Sequence, residues 1–175
     1  HNGPTSWHWP TDSCGYTKEH TKEAWKRINA SRDFWANLDV TDDFGRFYDW
    51  YWDHKQDHEL YFVTSRSGMN PKQQTEKWFR HNLGHQPTVL ISDQKGMVAA
   101  ALHLDYYVDD KGENIIDVQR QSPSTKAYLI DKQYNQHVNV LNRIDKLSGF
   151  LYDVNMQQTK VLIHGIGGEG LMLRR

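Results

Sequence analysis

Apolar and polar positions change period near residue 58. Before it, apolar side chains recur at helical spacing: Ala24, Trp25 and Ile28 follow Thr17, and Phe44, Phe47, Tyr48 and Tyr51 follow Thr41-Asp42-Asp43. Thr17 reads as an N-cap, with Glu19 and Glu23 early and Lys26 and Arg27 late, the charge order that a helix dipole favours. A short helix holding Phe34 and Trp35 lies between the two. After residue 58, short β-branched and aromatic runs alternate with helical patterns. Strands are predicted over 61–64, 88–92, 106–108 and 127–130. Helices are predicted from Asn70-Pro71 to Gly84 and over 95–104, with a short amphipathic connection through Ile115, Ile116 and Val118. Val138, Leu141, Ile144, Leu147, Leu151 and Val154 predict one long helix over 136–154, and a last strand is predicted over 160–164. Strands separated by helices of this length imply βαβ units and a parallel sheet. The expected fold is α/β and Rossmann-like. Residues 1–55 would form a helical cap and approach, 56–135 the α/β core, and 136–175 a C-terminal helix, strand and Gly-rich tail.

Length and charge narrow the picture. The 175 residues suit one domain with a small cap. With 21 basic against 22 acidic residues, no net field draws the chain to a nucleic acid polymer or an acidic membrane. No apolar run approaches a membrane span, and no signal peptide is visible. Cys14 is the single cysteine, so an internal disulfide is excluded and a reducing, cytoplasmic setting is expected. Its bland reading is a structural thiol. All seven Trp and four of the nine Tyr lie in the first 80 residues, as an aromatic core or a flat-ligand pocket there would require.

Candidate chemistry lies at strand ends, where ligands gather in open α/β sheets. Thr64-Ser65-Arg66 closes the first strand, and hydroxyls with freed backbone N–H groups at such a turn bind phosphate oxygens. Lys95 stands at a helix start, where a cation repels the dipole and calls for an anion. Asp109-Asp110 closes a strand, and adjacent carboxylates are relieved by a hard divalent cation. Taken singly, each has a plainer explanation: a Ser/Thr turn, a solvated lysine, an exposed acidic turn. The ordered set on three strand ends is what suits a phosphoryl group held against Mg²⁺. Gly165-Ile166-Gly167-Gly168-Glu169-Gly170 matches GxGxxG but leaves too few residues for the helix that should follow, and reads as a flexible tail. The pairs His54/His58 and His81/His85 lack partners at zinc-ligand spacing.

The order strand–Thr-Ser, strand–Lys, strand–Asp-Asp resembles motifs two, three and four of the haloacid dehalogenase superfamily. Tyr61-Phe62-Val63-Thr64-Ser65-Arg66, Lys72-Gln73-Gln74-Thr75-Glu76-Lys77-Trp78 and Phe34-Trp35 are similar to its 5′(3′)-deoxyribonucleotidase branch. The likeness covers roughly residues 5 to 135. It implies a Mg²⁺-dependent phosphomonoesterase acting on nucleoside monophosphates through a phosphoaspartate. Thr64 and Ser65, with Arg66 beside them, would hold the phosphate, and Lys95 would neutralise developing charge. Asp110 would bind Mg²⁺, and Asp109 would orient Lys95 or a metal-bound water. Phe34 and Trp35 would line the base pocket. The implied partner is a nucleoside monophosphate, with no membrane and no nucleic acid polymer, and a homodimer is compatible with it.

One family element is missing from the 175 residues. No Asp-x-Asp follows a hydrophobic strand, although that motif supplies the family's nucleophile and general acid from the central strand. The slot between the strands of Thr64 and Asp109 must be filled, because unpaired backbone groups in a core are costly. Residues upstream of His1 are the favoured occupant, and Lys160–His164 is the alternative. In the second case the chain would carry no nucleophile there, and would be an inactive module that binds a nucleotide or a protein. A related phosphatase or dehalogenase with a non-nucleotide substrate is a third reading.

Overall fold

The computed structural model describes residue 12, residues 14–154 and residues 160–163. Helix α1 (Lys18–Ala30) starts at Thr17, whose hydroxyl accepts the His20 backbone N–H while the His20 ring accepts the Thr17 N–H. A 3₁₀ turn (Trp35–Asn37) follows, then α2 (Phe44–His54), which buries Phe44, Phe47, Trp50 and Tyr51. Strand β1 (Glu59–Thr64) leads to α3 (Pro71–Leu83), with Pro71 at the helix start and Gly84 ending it. Next come β2 (Thr88–Ile91), α4 (Lys95–Leu102), β3 (Tyr106–Asp109), α5 (Gly112–Gln121) and β4 (Lys126–Ile130). A 3₁₀ turn (Gln133–Asn135), β5 (Arg143–Ile144), α6 (Leu147–Val154) and β6 (Lys160–Ile163) complete the described chain.

The strands form one six-stranded sheet in the order β2-β1-β6-β3-β4-β5, and every pairing is parallel. Period-two alternation sends neighbouring residues to opposite faces. Phe62, Val108, Tyr128, Ile130 and Ile163 pack with α2, α3 and α6, and Val63, Tyr107, Ala127 and Leu129 pack with α4 and α5. Helices therefore cover both faces of a parallel sheet, the Rossmann-like α/β arrangement the sequence predicts.

Two expectations give way. The predicted helix over 136–154 is a helix only over Leu147–Val154. Residues 143–144 instead form β5, in register with β4 through Leu129↔Arg143 and Ile130↔Ile144. Arg143 fixes this course by binding Asp131 at 2.6 Å, Asn135 Oδ1 at 2.9 Å and the Val138 carbonyl at 2.5 Å. The three-and-four spacing was fortuitous: Leu141, counted on the apolar face, is 90% exposed. The connection through Ile115 and Val118, in turn, is a full ten-residue helix, α5.

The second concerns the central slot. Residues 160–163 occupy it, not the favoured upstream residues. β6 pairs with β1 through Phe62↔Ile163 and with β3 through Val108↔Ile163. Both neighbours thereby gain a pairing strand, over Glu59–Phe62 and over Tyr106–Val108, and Ile163 is 1% exposed in the larger core cluster.

Candidate functional site

Because Phe62, Ile163 and Val108 share one row of the sheet, Thr64 and Asp110 each lie two residues beyond that row at the same carboxyl rim. They flank the central slot, with one strand between β1 and β3, hence a separation of about two strand spacings or 10 Å between those two backbones. This rim is where the sequence placed the chemistry.

Thr64 is half-buried, and its carbonyl accepts the Ser92 N–H at 3.0 Å, so β1 and β2 stay tied past their last pair. Ser65 is exposed; its hydroxyl donates to the Ser92 carbonyl at 3.3 Å and accepts from Lys95 Nζ at 2.8 Å. Lys95 also donates to the Ser92 carbonyl and is 0% exposed. It is a buried ammonium turned back over the strand ends, not the solvated lysine of its plainer reading. The dipole cost of a cation at a helix start is met nearby, since the Asp117 carboxylate accepts the Gly96 N–H of α4 at 2.7 Å.

Asp109 and Asp110 are both buried but differ in role. Asp109 Oδ1 accepts the Lys111 N–H at 2.8 Å, while Oδ2 accepts from Asn114 Nδ2 at 2.8 Å and from the Tyr107 hydroxyl. Burial, and then the Asp109 charge, push the Tyr107 hydroxyl well above its usual range, so it stays protonated and donating. Asp109 therefore shapes the turn, with both oxygens engaged. Asp110 receives the Tyr134 hydroxyl on Oδ2 at 2.6 Å, and Asn135 Nδ2 on its backbone carbonyl at 2.8 Å.

Arg66 and Trp35 form a second cluster behind the Thr64-Ser65 turn. The Arg66 guanidinium lies 5.1 Å from the Trp35 ring centroid and donates to Thr75 Oγ1 at 2.9 Å. Trp35 is 1% exposed, with Nε1 donating to the Ser67 carbonyl at 3.0 Å and its backbone N–H to Gln74 Oε1 at 2.9 Å. Phe34 meets it edge-on at 5.0 Å and is half-buried, so of the expected base-pocket pair Phe34 is the one with surface to offer. Gly68, at φ 96°, lets the loop close on α1: a Cβ there would stand 2.5 Å from Asn29 Cα, and the next residue, Met69, donates its N–H to the Asn29 carbonyl at 2.9 Å.

Among the described residues, no group of three or more His, Cys, Asp or Glu side chains is placed to hold a metal ion. The donor set at the rim still fits Mg²⁺. That ion keeps several waters and needs only one or two protein carboxylates alongside substrate phosphate, and Asp110, whose Oδ2 accepts the Tyr134 hydroxyl, is the rim carboxylate that would hold it. His54 and His58 serve packing instead: His58 is buried and stacks on Trp50 at 5.5 Å. Cys14 is exposed. No described helix is long and apolar enough to cross a membrane. The GxGxxG run at 165–170 lies outside the described residues.

Sequence reasoning missed Tyr107, Asn114, Asp117, Tyr134 and Asn135. Tyr107 was within reach, since i and i+2 on a strand share a face and Asp109 follows it by two. Tyr134 and Asn135 follow the carboxyl end of β4, a place the strand-end rule marks.

No family model matches the chain. Over 99 residues it is 31% identical to a protein of Oceanobacillus iheyensis named "Putative nucleotidase", an alignment covering 54% of this chain. It covers 51% of that relative, so the chain spans about half the length of the curated relative it matches.

Proposed function

We propose that this chain carries the phosphate- and metal-binding rim of a Mg²⁺-dependent nucleotidase of haloacid dehalogenase type, acting on nucleoside monophosphates. The observation that carries the reading is the buried Lys95, whose ammonium reaches Ser65 Oγ at 2.8 Å on the rim shared with Asp110. A distant relative that bears a nucleotidase name supports the same class.

In this reading the Ser65 hydroxyl and the backbone N–H groups of the turn after Thr64 hold phosphate oxygens, and Arg66 stiffens that turn from behind. Lys95 supplies fixed positive charge where the transferring phosphoryl group gathers negative charge, in a site where burial strengthens it. Asp110 would hold Mg²⁺, with Asp109 fixing the turn that aims it. When bound, Mg²⁺ offsets phosphate charge and polarises the phosphorus–oxygen bond. Phe34 would face the base. Hydrolysis through a phosphoaspartate needs an aspartate at the end of the central strand.

That requirement favours a second reading. β6 fills the central slot, and residues 160–175 contain no aspartate. A chain with this arrangement would bind a nucleotide without cleaving it. One experiment decides between the two: incubate the 175-residue chain with Mg²⁺ and a panel of ribo- and deoxynucleoside monophosphates, and follow both phosphate release and calorimetric binding. Turnover that is lost in Lys95→Met supports the enzyme. Saturable binding without turnover supports the binding module. Absence of both overturns the nucleotide reading.

A further inference from the structure

Asp110 is gripped from one side by the 3₁₀ turn after β4. Tyr134 donates to its Oδ2 at 2.6 Å, and Asn135 Nδ2 donates both to its backbone carbonyl and to the Ile130 carbonyl, each at 2.8 Å. The turn is itself fixed. Asn135 Oδ1 accepts the Lys132 N–H at 3.1 Å and Arg143 Nη1 at 2.9 Å, and Arg143 Nη2 reaches the Asn135 carbonyl at 3.2 Å. Arg143 is anchored in turn on Asp131 at 2.6 Å. Tyr134, Asn135 and Asp110 are 6%, 2% and 4% exposed, so the phenol is not readily exchanged for water.

A carboxylate whose Oδ2 receives a buried phenolic hydrogen meets a cation differently from a bare one. Two-oxygen ligation places the cation between both oxygens, where it competes with that hydrogen for Oδ2 and is repelled by it. One-oxygen ligation through the other oxygen leaves the hydrogen bond intact. Ca²⁺ takes 6–8 oxygens and accepts carboxylates through both; Mg²⁺ holds a strict octahedron, keeps waters and suits one oxygen. The geometry points to Tyr134 as a positioning residue that restricts Asp110 to one-oxygen ligation and so selects Mg²⁺ over Ca²⁺ at this rim. The inference rests on the reading of Asp110 as the metal ligand.

The test titrates the full 175-residue chain calorimetrically with MgCl₂ alone and CaCl₂ alone, for the unmodified protein, Tyr134→Phe and Asp110→Asn, with near-ultraviolet circular dichroism to verify that each is folded. Tyr134→Phe should shift the ratio of Mg²⁺ to Ca²⁺ dissociation constants about tenfold towards Ca²⁺, the low end of what partners of a metal ligand contribute. Asp110→Asn should lose both ions. A ratio unchanged in Tyr134→Phe, with binding still lost in Asp110→Asn, overturns the role of Tyr134 and leaves the nucleotidase reading standing. Absence of Mg²⁺ binding in the unmodified chain, or binding that survives Asp110→Asn, overturns both. Difference infrared spectra of Mg²⁺ addition to the unmodified protein need no Tyr134 variant. Widely split carboxylate stretching bands, absent from Asp110→Asn, mark one-oxygen ligation, and narrowly split bands overturn the proposal.

Discussion

Gly96 and Asp117 meet backbone to side chain: the Gly96 N–H donates to Asp117 Oδ2 at 2.7 Å, and a Cβ on Gly96 would stand 2.5 Å from the Asp117 carbonyl oxygen. The start of α4, which carries Lys95, is thus pressed against α5 so closely that no side chain fits between them. Gly96→Ala should destabilise the fold by about 1–3 kcal/mol, since the overpacking outweighs the roughly 1 kcal/mol of helix propensity gained. For a chain of this size that is a fall in melting temperature of about 2–4 °C per kcal/mol. Thermal unfolding measures it, and an unchanged or raised midpoint would refute the close approach.

Lys95→Met should keep the fold while removing the charge. The side chain is buried, and methionine fills a similar volume without polar demands. Under the proposed function, turnover falls by about 10²-fold or more, or nucleotide affinity falls if the chain only binds. Steady-state kinetics and calorimetry on the folded variant read the two cases separately.

The placement of β6 makes its own demand. Ile163 is buried in the middle of the sheet, with Phe62 and Val108 as cross-strand neighbours. Ile163→Asp would put an uncompensated charge there and should cost at least about 4 kcal/mol, enough to threaten folding. Ile163→Val should cost only about 1 kcal/mol. If denaturant titration finds Ile163→Asp as stable as the unmodified chain, residues 160–163 are not in the central slot.

His58 predicts a pH dependence. Burial lowers its pKa below the usual 6.5, aided by His54 and opposed by Asp57, while its ring stacks on Trp50. The unfolded chain therefore binds the proton more readily than the folded one, and stability rises with pH across this window. The stabilising contribution is complete above about 6.5, the unfolded value, and is lost as pH falls from there through the lower folded value. Melting temperatures recorded from pH 7.5 to 5 should decline on the acid side, and His58→Phe, which keeps a flat ring on Trp50, should flatten that limb. An identical slope in the variant would assign the decline to other groups.

Local order was legible in the chain. Thr17 caps α1, Pro71 opens α3 and Gly84 closes it, because capping and turn chemistry act over three or four residues. Alternating strand and helix patterns sufficed for a parallel sheet, and the strand-end rule points to the carboxyl ends where Thr64, Ser65 and Asp110 stand. Tertiary structure decided what depends on distant partners. The three-and-four spacing over 136–154 is a local signal, but Arg143, bound to Asp131 and Asn135, holds residues 143–144 beside β4 instead. Adjacent aspartates look alike in sequence, yet Tyr107 and Asn114 engage Asp109 while Tyr134 takes Asp110. No local pattern says which strand enters a central slot. Residues 160–163 hold it because β1 and β3, nearly a hundred residues earlier and about fifty earlier, each present backbone groups that only a strand between them can satisfy.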